Sequence, residues 1–448
     1  MAEPIISVSG LRGIVGETLT PEVAIRYAAA FAATVPAGPI VVGRDSRPSG
    51  KMLARAVQAG LQAVGRDTID ASVAATPTVG VLIRQRNAAG GIQITASHNP
   101  PPYNGLKLFS AEGRVIPAGP GQEVLRRYRA GSVDWVPHDR LGSRREIADT
   151  FTAHSGAVLA TVDIEGIRRR QFRVLLDSNH GAGSLLGRPL LEELGCEVTV
   201  LGESPDGRFA HPAEPTAEHL AGVLSAVTKT GAEIGFCQDP DADRLAVIDE
   251  TGRYIGEEYT VAMCVDHVLR RRHGPIVTNC SSSRMSQDLA ERYGVPFFRS
   301  AVGEANVVEC MLAHGAVFGG EGNGGPIDPR VGMVRDSFVG MALLLDATAE
   351  RGKKISELAD ELPRYEIVKT KVSLPSERIP AALDALQRHF HDAKADRLDG
   401  LRLDWPNAWL LVRGSNTEPT VRAVAEAPTE NEATRLCEET AKILAAVE

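Results

Sequence analysis

The first stretch of residues that could do chemistry spans 91–102 and reads GIQITASHNPPP. Apolar and polar residues alternate in the period of a β-strand until Ser97 and His98, and three prolines that cannot continue a β-ladder follow. We therefore expect Ser97 on a stiff turn at a strand end. Lys107 lies on the next predicted strand, after an Asn-Gly turn, so a hydroxyl, an imidazole and an ammonium come close together. Taken alone, the stretch is also compatible with a surface turn whose polar side chains cap backbone groups.

The second stretch places Asp239, Asp241 and Asp243 directly after an apolar strand. Three carboxylates at this spacing supply the hard oxygen ligands that Mg²⁺ prefers. A calcium loop of the EF-hand type does not fit, because its sixth position would be Arg244 instead of glycine and residues 245–248 have the pattern of a strand. An aspartate-nucleophile phosphatase remains an alternative, but it leaves the first stretch unexplained. Arg244 could neutralise phosphate charge or pair with the aspartates.

Glycines occupy five of the seven positions in residues 319–325, with Glu321 and Asn323 between them. A carboxylate and an amide on a loop with little steric bulk suit sugar hydroxyls, since the backbone can approach a ligand closely. A plain glycine linker is the alternative interpretation.

Two further segments offer donors for an anion. Arg12 lies in a glycine-spaced loop after the first predicted strand, where it is either an anion contact or a solvated arginine. Near the C-terminus, guanidinium, hydroxyl and amide donors surround a flexible turn, as in a phosphate cradle, although a polar hairpin loop is also possible. The residues of this turn and its flank are Arg413, Ser415, Asn416, Thr417 and Arg422.

These stretches, in this order along the whole chain, resemble the α-D-phosphohexomutase superfamily. The resemblance rests on TASHNP around Ser97, DPDADR from Asp239, the glycine-rich loop at 320–325 and RGSNTEP at 413–419. It implies a phosphorylated Ser97, with the loop of Arg12 lying over it. It also implies a Mg²⁺ ion held by Ser97 and the three aspartates. Glu321 and Asn323 would recognise the sugar, and the C-terminal turn would hold the phosphate that is not transferred.

The reaction implied by the resemblance interconverts hexose 1-phosphate and hexose 6-phosphate through a hexose 1,6-bisphosphate, which also acts as activator. His98 and Lys107 are the candidate general acid and base. We favour Lys107, because a nearby cation would lower the pKa of its ammonium. Arg244 would neutralise phosphate charge. A sugar phosphatase and a non-catalytic sugar-phosphate binding protein are the remaining alternatives.

Three positions that bear on the preferred sugar depart from the family pattern. The glycine-rich loop ends in Asn323-Gly324-Gly325 instead of Ser-Gly-His, Arg284 stands where many members have lysine, and Glu304 stands where some have histidine. We expect glucosamine phosphate, with mannose or glucose phosphate as alternatives.

Composition narrows the classes of partner. The chain has 448 residues, 49 basic and 57 acidic, and a net charge of −8, which argues against a nucleic-acid or anionic-membrane binder. We expect a small phosphosugar as the partner and a monomer or homodimer. The first residues lack a signal-peptide pattern and no long apolar run is present, so a cytoplasmic location is expected. Six scattered cysteines indicate reduced thiols.

Strands alternate with helices through most of the chain, which predicts the α/β class. We expect three consecutive mixed α/β sheet domains and a smaller C-terminal α+β domain around a central cleft. A long helix from Glu146 to Val162 is predicted to bridge the first two domains. The expected boundaries are 1–145 for the phosphoserine-bearing domain, 146–250 for the metal-binding domain, 251–365 for the sugar-recognition domain and 366–448 for the phosphate-binding domain.

Overall fold

The computed structural model describes residues 3–7, 9–414 and 420–446. They form four sheets in chain order, with seven, four, four and five strands. The first three sheets mix parallel and antiparallel strands and carry helices, and the fourth is antiparallel throughout. The expected fold class is confirmed, while the domain boundaries stay predictions.

The first sheet has the order β1-β2-β6-β5-β3-β4-β7. Its strands are β1 (Ile5–Ser7), β2 (Gly10–Ile14), β3 (Ile40–Arg44), β4 (Thr68–Val73), β5 (Gly90–Ile94), β6 (Tyr103–Ser110) and β7 (Arg144–Glu146). Its helices are α1 (Pro21–Ala32), α2 (Gly50–Ala63), α3 (Thr76–Gln85) and α4 (Ala118–Ala130), with a short 3₁₀ helix at His138–Arg140.

The predicted helix from Glu146 to Val162 is wrong. Residues Arg144–Glu146 are β7, which pairs in parallel with β4, and two short helices follow, α5 (Thr152–Leu159) and α6 (Ile164–Arg168). Two aspartates divide this stretch, because each accepts backbone N–H groups at the start of a helix. Asp149 accepts from Thr152 at 3.0 Å, and Asp163 accepts from Gly166 at 3.0 Å.

The second and third sheets have the orders β11-β10-β8-β9 and β13-β12-β14-β15. The strands of the second are β8 (Arg173–Asp177), β9 (Glu197–Leu201), β10 (Ile234–Gln238) and β11 (Leu245–Asp249), with helices α7 (Ser184–Glu193) and α8 (Ala221–Thr230). The third contains β12 (Ile276–Asn279), β13 (Phe297–Ser300), β14 (Phe318–Glu321) and β15 (Gly325–Ile327), with α9 (Glu257–Arg271), α10 (Met285–Arg292), α11 (Glu304–His314), α12 (Ser337–Arg351) and α13 (Ile355–Asp360).

The fourth sheet has the order β16-β20-β19-β18-β17. Its elements are β16 (Glu366–Ser373), β17 (Lys394–Asp396), β18 (Leu401–Asp404), β19 (Trp409–Gly414) and β20 (Thr420–Ala427), the helices α14 (Ile379–His389) and α15 (Glu430–Ala446), and a 3₁₀ helix at Ser376–Arg378.

The second and third domains share one hydrophobic core, which includes Leu176 and Val247 from one sheet and Phe318 and Phe338 from the elements of the other. Each fully buried side chain of this kind stabilises the fold by about 1.5–3 kcal/mol. The fourth domain contacts the third through a smaller cluster of Cys280, Trp409, Leu411 and Val424. The relative position of domains two and three is therefore held far more firmly than that of domain four.

Within the residues that the structure describes, no helix is long and apolar enough to cross a membrane. All six cysteines are free thiols, and five of them are buried.

Candidate active site

Ser97 lies three residues beyond the end of β5, at the turn that the sequence predicts. Its backbone adopts a left-handed conformation with φ of +47°, and its N–H donates to Thr95 Oγ1 at 2.9 Å. A left-handed φ is unfavourable for a residue other than glycine and is characteristic of functional turns. The side chain is fully buried, and Oγ donates to Asp239 Oδ2 at 2.7 Å. The surface-turn alternative is therefore wrong, and the first two stretches meet.

Arg47 holds the turn of Ser97 in place and was not identified from the sequence. Its Nη2 donates to the carbonyl oxygens of Ser97 and Asn99, both at 2.6 Å. Its Nη1 donates to the carbonyls of Pro100 and Tyr103 at 2.9 and 3.1 Å. Four carbonyls thus bind one buried guanidinium. The Arg-Asp-Ser-Arg segment that follows β3 was the available signal, but its partners lie about fifty positions away.

The three aspartates form a compact buried cluster in which the candidate ligand oxygens lie within 4.8 Å of one another. Asp239 Oδ1 accepts the backbone N–H groups of Asp243 and Arg244, both at 3.1 Å, so the chain wraps around this carboxylate. Asp241 Oδ2 accepts from Thr76 Oγ1 of α3 at 2.5 Å. The first two domains therefore both position this cluster.

The free oxygens of the cluster fit a divalent cation. Asp241 Oδ1 and Asp243 Oδ1 are buried without a hydrogen-bond partner, although buried carboxylate oxygens are normally paired. Burial, together with the charges of Asp241 and Asp243, raises the pKa of Asp239 well above its ordinary value. Although burial opposes it, the charges of Arg335 and Lys107 lower the pKa of Asp243. Oxygen ligands of this kind suit Mg²⁺.

Lys107 lies against this cluster, with Nζ 2.8 Å from Asp243 Oδ2 and 3.5 Å from Asp241 Oδ2. Burial opposes its charge, but the charges of Asp243, Asp241 and Glu304 outweigh burial and raise the pKa of Lys107. The charges of the protein itself thus act opposite to the expected lowering, and the effect of a bound cation on this pKa stays a prediction. The sequence could not show that three carboxylates would surround this ammonium.

His98 and Arg244 lie at the mouth of the cluster. His98 Nε2 is 3.9 Å from Glu214 Oε1, and its Nδ1 is buried without a partner. Burial and the charges of Arg244 and Arg12 hold the pKa of His98 well below its ordinary value. Arg244 Nη1 is 3.7 Å from Glu214 Oε1, and its Nε is 4.0 Å from Asp243 Oδ1.

Arg12 donates to Asn99 Oδ1 at 2.9 Å and so lies over the turn of Ser97. Burial, with the charge of Arg244, lowers the pKa of Arg12. Cationic side chains from β2 and from the aspartate loop therefore gather on the side of Ser97 where a phosphate would bring negative charge.

Arg335 joins the metal cluster to the glycine-rich loop and was also missed. It is buried just before α12, donating to Asp243 Oδ2 at 2.6 Å and to Glu321 Oε2 at 2.8 Å. Glu304 lies in the same network, since Glu304 Oε1 accepts the backbone N–H of Arg335 at 2.8 Å. A single arginine in an otherwise ordinary segment carries no sequence signal.

The glycine-rich loop presents Asn323 more openly than Glu321. Asn323 Oδ1 has no hydrogen-bond partner. Glu321 Oε1 already accepts from Asn279 Nδ2 at 2.7 Å and from the backbone N–H of Gly303 at 3.0 Å. In this arrangement the carboxylate of Glu321 is held by the protein on both oxygens.

Arg284 connects the third and fourth domains instead of facing the cleft. It donates to the carbonyl oxygen of Pro406, and to Asp288 Oδ1 at 3.0 Å. These contacts do not support a role for Arg284 in binding sugar or phosphate.

The C-terminal anion site is described in part. Ser415, Asn416 and Thr417 lie outside the described residues. Arg413 and Arg422 occupy directly opposite positions on β19 and β20, and Lys371 on β16 lies opposite Arg422. Three cations thus stand in a row across neighbouring strands, and Lys371 was not anticipated.

Comparison with known proteins agrees with this arrangement. Four family profiles match the chain: phosphoglucomutase/phosphomannomutase alpha/beta/alpha domain I over residues 5–133, domain II over 150–252, domain III over 257–365, and the C-terminal domain over 369–443. The chain belongs to the phosphoglucomutase/phosphomannomutase family. It is therefore an enzyme of the phosphohexomutase class, an isomerase that relocates a phosphate group on a hexose.

Individual relatives cover almost the whole chain. A Thermococcus kodakarensis protein named phosphoglucomutase/phosphomannomutase is 38% identical over 97% of each chain. A probable phosphoglucosamine mutase of Methanopyrus kandleri is 34% identical over 96% of this chain and 95% of its own. The crystal structure of a phosphoglucomutase/phosphomannomutase family protein from Burkholderia thailandensis superposes with a TM-score of 0.86 at 27% identity, covering 99% of this chain and 98% of its own.

Proposed function

We propose that this enzyme interconverts glucosamine 1-phosphate and glucosamine 6-phosphate through a phosphorylated Ser97. The observation that carries the proposal is the 2.7 Å hydrogen bond from Ser97 Oγ to Asp239, a member of the buried aspartate cluster. A phosphoryl group on Ser97 would thus lie beside the groups that stabilise its charge. In phosphoryl transfer, positioning and charge stabilisation supply nearly all of the catalysis.

In the first half of the proposed reaction, the free hydroxyl of the sugar attacks the phosphorus of phospho-Ser97. The bond from phosphorus to Ser97 Oγ breaks, a bond to the sugar oxygen forms, and a 1,6-bisphosphate results. The sugar then turns over, and its other phosphate returns to Ser97. A hexose 1,6-bisphosphate would phosphorylate an unmodified Ser97 by the same transfer, which explains its proposed role as activator.

Residues of the first two domains serve these steps. Lys107, beside Asp241 and Asp243, is a proton donor for the oxygen that leaves phosphorus, and His98, with an unpartnered Nδ1, is the candidate acceptor for the sugar hydroxyl proton. Arg12 and Arg244 bring positive charge to the phosphoryl oxygens.

Asp239, Asp241, Asp243 and a phosphoryl oxygen on Ser97 would hold the Mg²⁺ ion. When bound, such an ion offsets negative charge on the transferred group. The fit rests on the two unpartnered aspartate oxygens described above.

Glu321, Asn323 and the cationic row of the fourth domain would hold the two ends of the sugar phosphate. Glucosamine phosphate is favoured over glucose or mannose phosphate because archaeal relatives that match nearly the full length are named probable phosphoglucosamine mutases. The oligomeric state is proposed as monomer or homodimer.

Substitution of Ser97 by alanine tests the proposal. We expect Ser97→Ala to lose conversion of glucosamine 1-phosphate by about 10⁴-fold or more, since the group that carries the phosphoryl is removed. The wild type, but not the variant, should carry one phosphoryl group in its intact mass after incubation with a 1,6-bisphosphate. Ser46→Ala is the matched control, because Ser46 is also buried beside this turn and its Oγ has no partner.

Wild-type activity in Ser97→Ala would contradict the proposal. Release of inorganic phosphate in place of the 6-phosphate would indicate a phosphatase.

A further inference from the structure

A cavity of about 500 Å³ opens between residues of the third and fourth domains, next to the glycine-rich loop. Among its lining residues are Glu257 and Glu258 in the first turn of α9, Gly322 of the glycine-rich loop and Glu426 of β20. A Cβ at position 322 would meet the carboxylate of Glu258, so the glycine lets the loop lie close to this acid without displacing its side chain.

The cavity is close to the reaction centre. The backbone N–H of Leu245, directly after Arg244, donates to the carbonyl of Gly324 at 2.8 Å, and the hydroxyl of Thr260 donates to the carbonyl of Leu245 at 2.9 Å. Thr260 lies in the first turns of α9, so the glutamates of that helix adjoin both the aspartate loop and the sugar loop. The cavity therefore adjoins the glycine-rich loop that carries Asn323.

The carboxylates of the cavity are only partly paired. Glu258 Oε2 accepts the backbone N–H of Ser283 at 2.8 Å, and Glu426 Oε1 accepts from Trp409 Nε1 at 2.7 Å. Glu257 Oε1 and Glu426 Oε2, by contrast, are buried without a hydrogen-bond partner, and the side chain of Glu426 is 0% exposed. A buried carboxylate oxygen without a partner is costly unless a donor or a cation reaches it.

The basic residues of the lining do not neutralise these acids. Arg253 donates to Asp249 at 2.7 Å and to Asp360 at 3.0 Å, and Arg364 also donates to Asp360 at 3.0 Å. Lys369 is exposed at the rim. Within the described part of the chain, no cation forms a close ion pair with these glutamates, although the charges of Arg244 and Lys369 act on Glu257 and that of Arg402 acts on Glu426.

The electrostatics of the free cavity agree with this geometry. Burial is the main cause that raises the pKa of Glu258 to about 8 and that of Glu257 to about 7. The charges of Glu426 and Glu257 raise the pKa of Glu258 further, and the charge of Glu214 raises that of Glu257 further. A positively charged group entering the cavity would lower these pKa values, because it favours the ionised carboxylates.

We propose that this cavity receives the ammonium group of a 2-amino sugar phosphate, in one of the two orientations that the sugar adopts during the reaction. Glu257, Glu258 and Glu426 are thereby specificity-determining residues. The inference rests on the proposed function and names the structural basis of its substrate class. An ammonium has three N–H donors and a positive charge, which match unpartnered carboxylate oxygens, whereas the 2-hydroxyl of glucose or mannose brings no charge.

The test compares kcat/KM for glucosamine 1-phosphate with kcat/KM for glucose 1-phosphate, in the same full-length enzyme with Mg²⁺ and bisphosphate. We expect Glu257→Gln and Glu426→Gln each to lower the ratio of the two values by about tenfold or more, since a charge-assisted hydrogen bond is lost only with the amino sugar. Glu366→Gln is the matched control, because Glu366 lines the same cavity but is exposed, and its ratio should stay at the wild-type value.

The possible outcomes separate the inference from the proposed function. Equal losses with both sugars in both glutamate variants would mean that the acids only hold the third and fourth domains together, and would overturn the inference. Wild-type conversion of glucose or mannose phosphate without conversion of glucosamine phosphate would also overturn it, while the mutase would stand. If no hexose phosphate were converted, the proposed function and the inference would both fail. Glu426→Gln risks misfolding through Trp409, so Glu257→Gln, with a melting curve, is the decisive variant.

Discussion

The hydroxyl of Ser97 and the carboxylate of Asp239 are 142 positions apart in the chain and 2.7 Å apart in the structure. One belongs to a turn after a strand of the first sheet, and the other ends a strand of the second. Neither sheet alone provides both the proposed nucleophile and the proposed cation site. Under the proposed function, catalysis therefore depends on how the first two domains are docked.

The aspartate cluster predicts how the metal affects stability. A ligand that binds only the folded state at a hundred times its dissociation constant stabilises it by about 2.7 kcal/mol. We expect Mg²⁺ to raise the melting temperature of the wild type, and Asp241→Asn to weaken Mg²⁺ affinity by about 100-fold or more. Thermal melts over a Mg²⁺ titration measure both. Asp134→Asn, at an exposed carboxylate, should titrate like the wild type, and an unchanged titration in Asp241→Asn would contradict the assignment.

The position of Arg335 in a buried ion-pair network predicts that its substitution will lower the free energy of unfolding. Removing one partner of a buried ion pair costs about 3–5 kcal/mol, because the remaining charge stays buried and unpaired. Arg335→Gln would remove the cationic partner of Glu321 and one of the two close cationic partners of Asp243, which keeps Lys107. Urea denaturation should show this loss, whereas Arg188→Gln, at an exposed arginine, should change the free energy of unfolding by less than about 1 kcal/mol. A change below about 1 kcal/mol in Arg335→Gln would show that the network is not a stabilising one.

Substitution of Arg47 should change the reaction rate, although Arg47 is assigned no contact with substrate. A lysine has three donors and cannot serve four carbonyls in a fixed planar arrangement, so Arg47→Lys should let the turn of Ser97 shift. Misplacement of a reacting group by about 1 Å costs about 100-fold in rate. We expect kcat to fall by about 10–100-fold with little change in KM, and Arg55→Lys, at an exposed arginine, to leave both unchanged. An unchanged kcat in Arg47→Lys would argue against the positioning role.

The raised pKa of Glu258 predicts how the stability of the free enzyme depends on pH. Its folded-state pKa of about 8 exceeds its ordinary value of 4.5, so between these values the folded state binds more protons than the unfolded chain. This group therefore makes stability fall as pH rises through that window. Glu258→Gln keeps an acceptor for Ser283 but removes the titration. The melting temperature of the variant, relative to the wild type, should rise between about pH 5 and about pH 8.5. A constant difference across this range would refute the prediction.

Short motifs made the core of the site predictable. The turn of Ser97 and the aspartate loop each encode their geometry within a few residues, through prolines, alternation and close carboxylate spacing. The resemblance of the whole chain to one superfamily then placed the two stretches together. The mixed sheets followed from the alternation of strands and helices.

The rest depends on contacts between distant segments. Arg47 and Arg335 act on groups about 50 and 92 positions away, and neither the charged segment around Arg47 nor the residues around Arg335 indicate those partners. The charges of Asp243, Asp241 and Glu304 raise the pKa of Lys107, and the sequence could not show that Glu304, from the third domain, would lie beside it. The helix predicted from Glu146 to Val162 was wrong for the same reason, because β7 forms by pairing with β4, a strand distant in the sequence.

The row of Lys371, Arg422 and Arg413 has a consequence for the free enzyme. Like charges directly opposite one another on neighbouring strands repel and weaken a sheet. Arg413 is partly paired, with its Nε 3.4 Å from Asp399 Oδ2, and an anion bound along this row would relieve the repulsion that remains. Under the proposed function, substrate binding is therefore expected to stiffen this lobe.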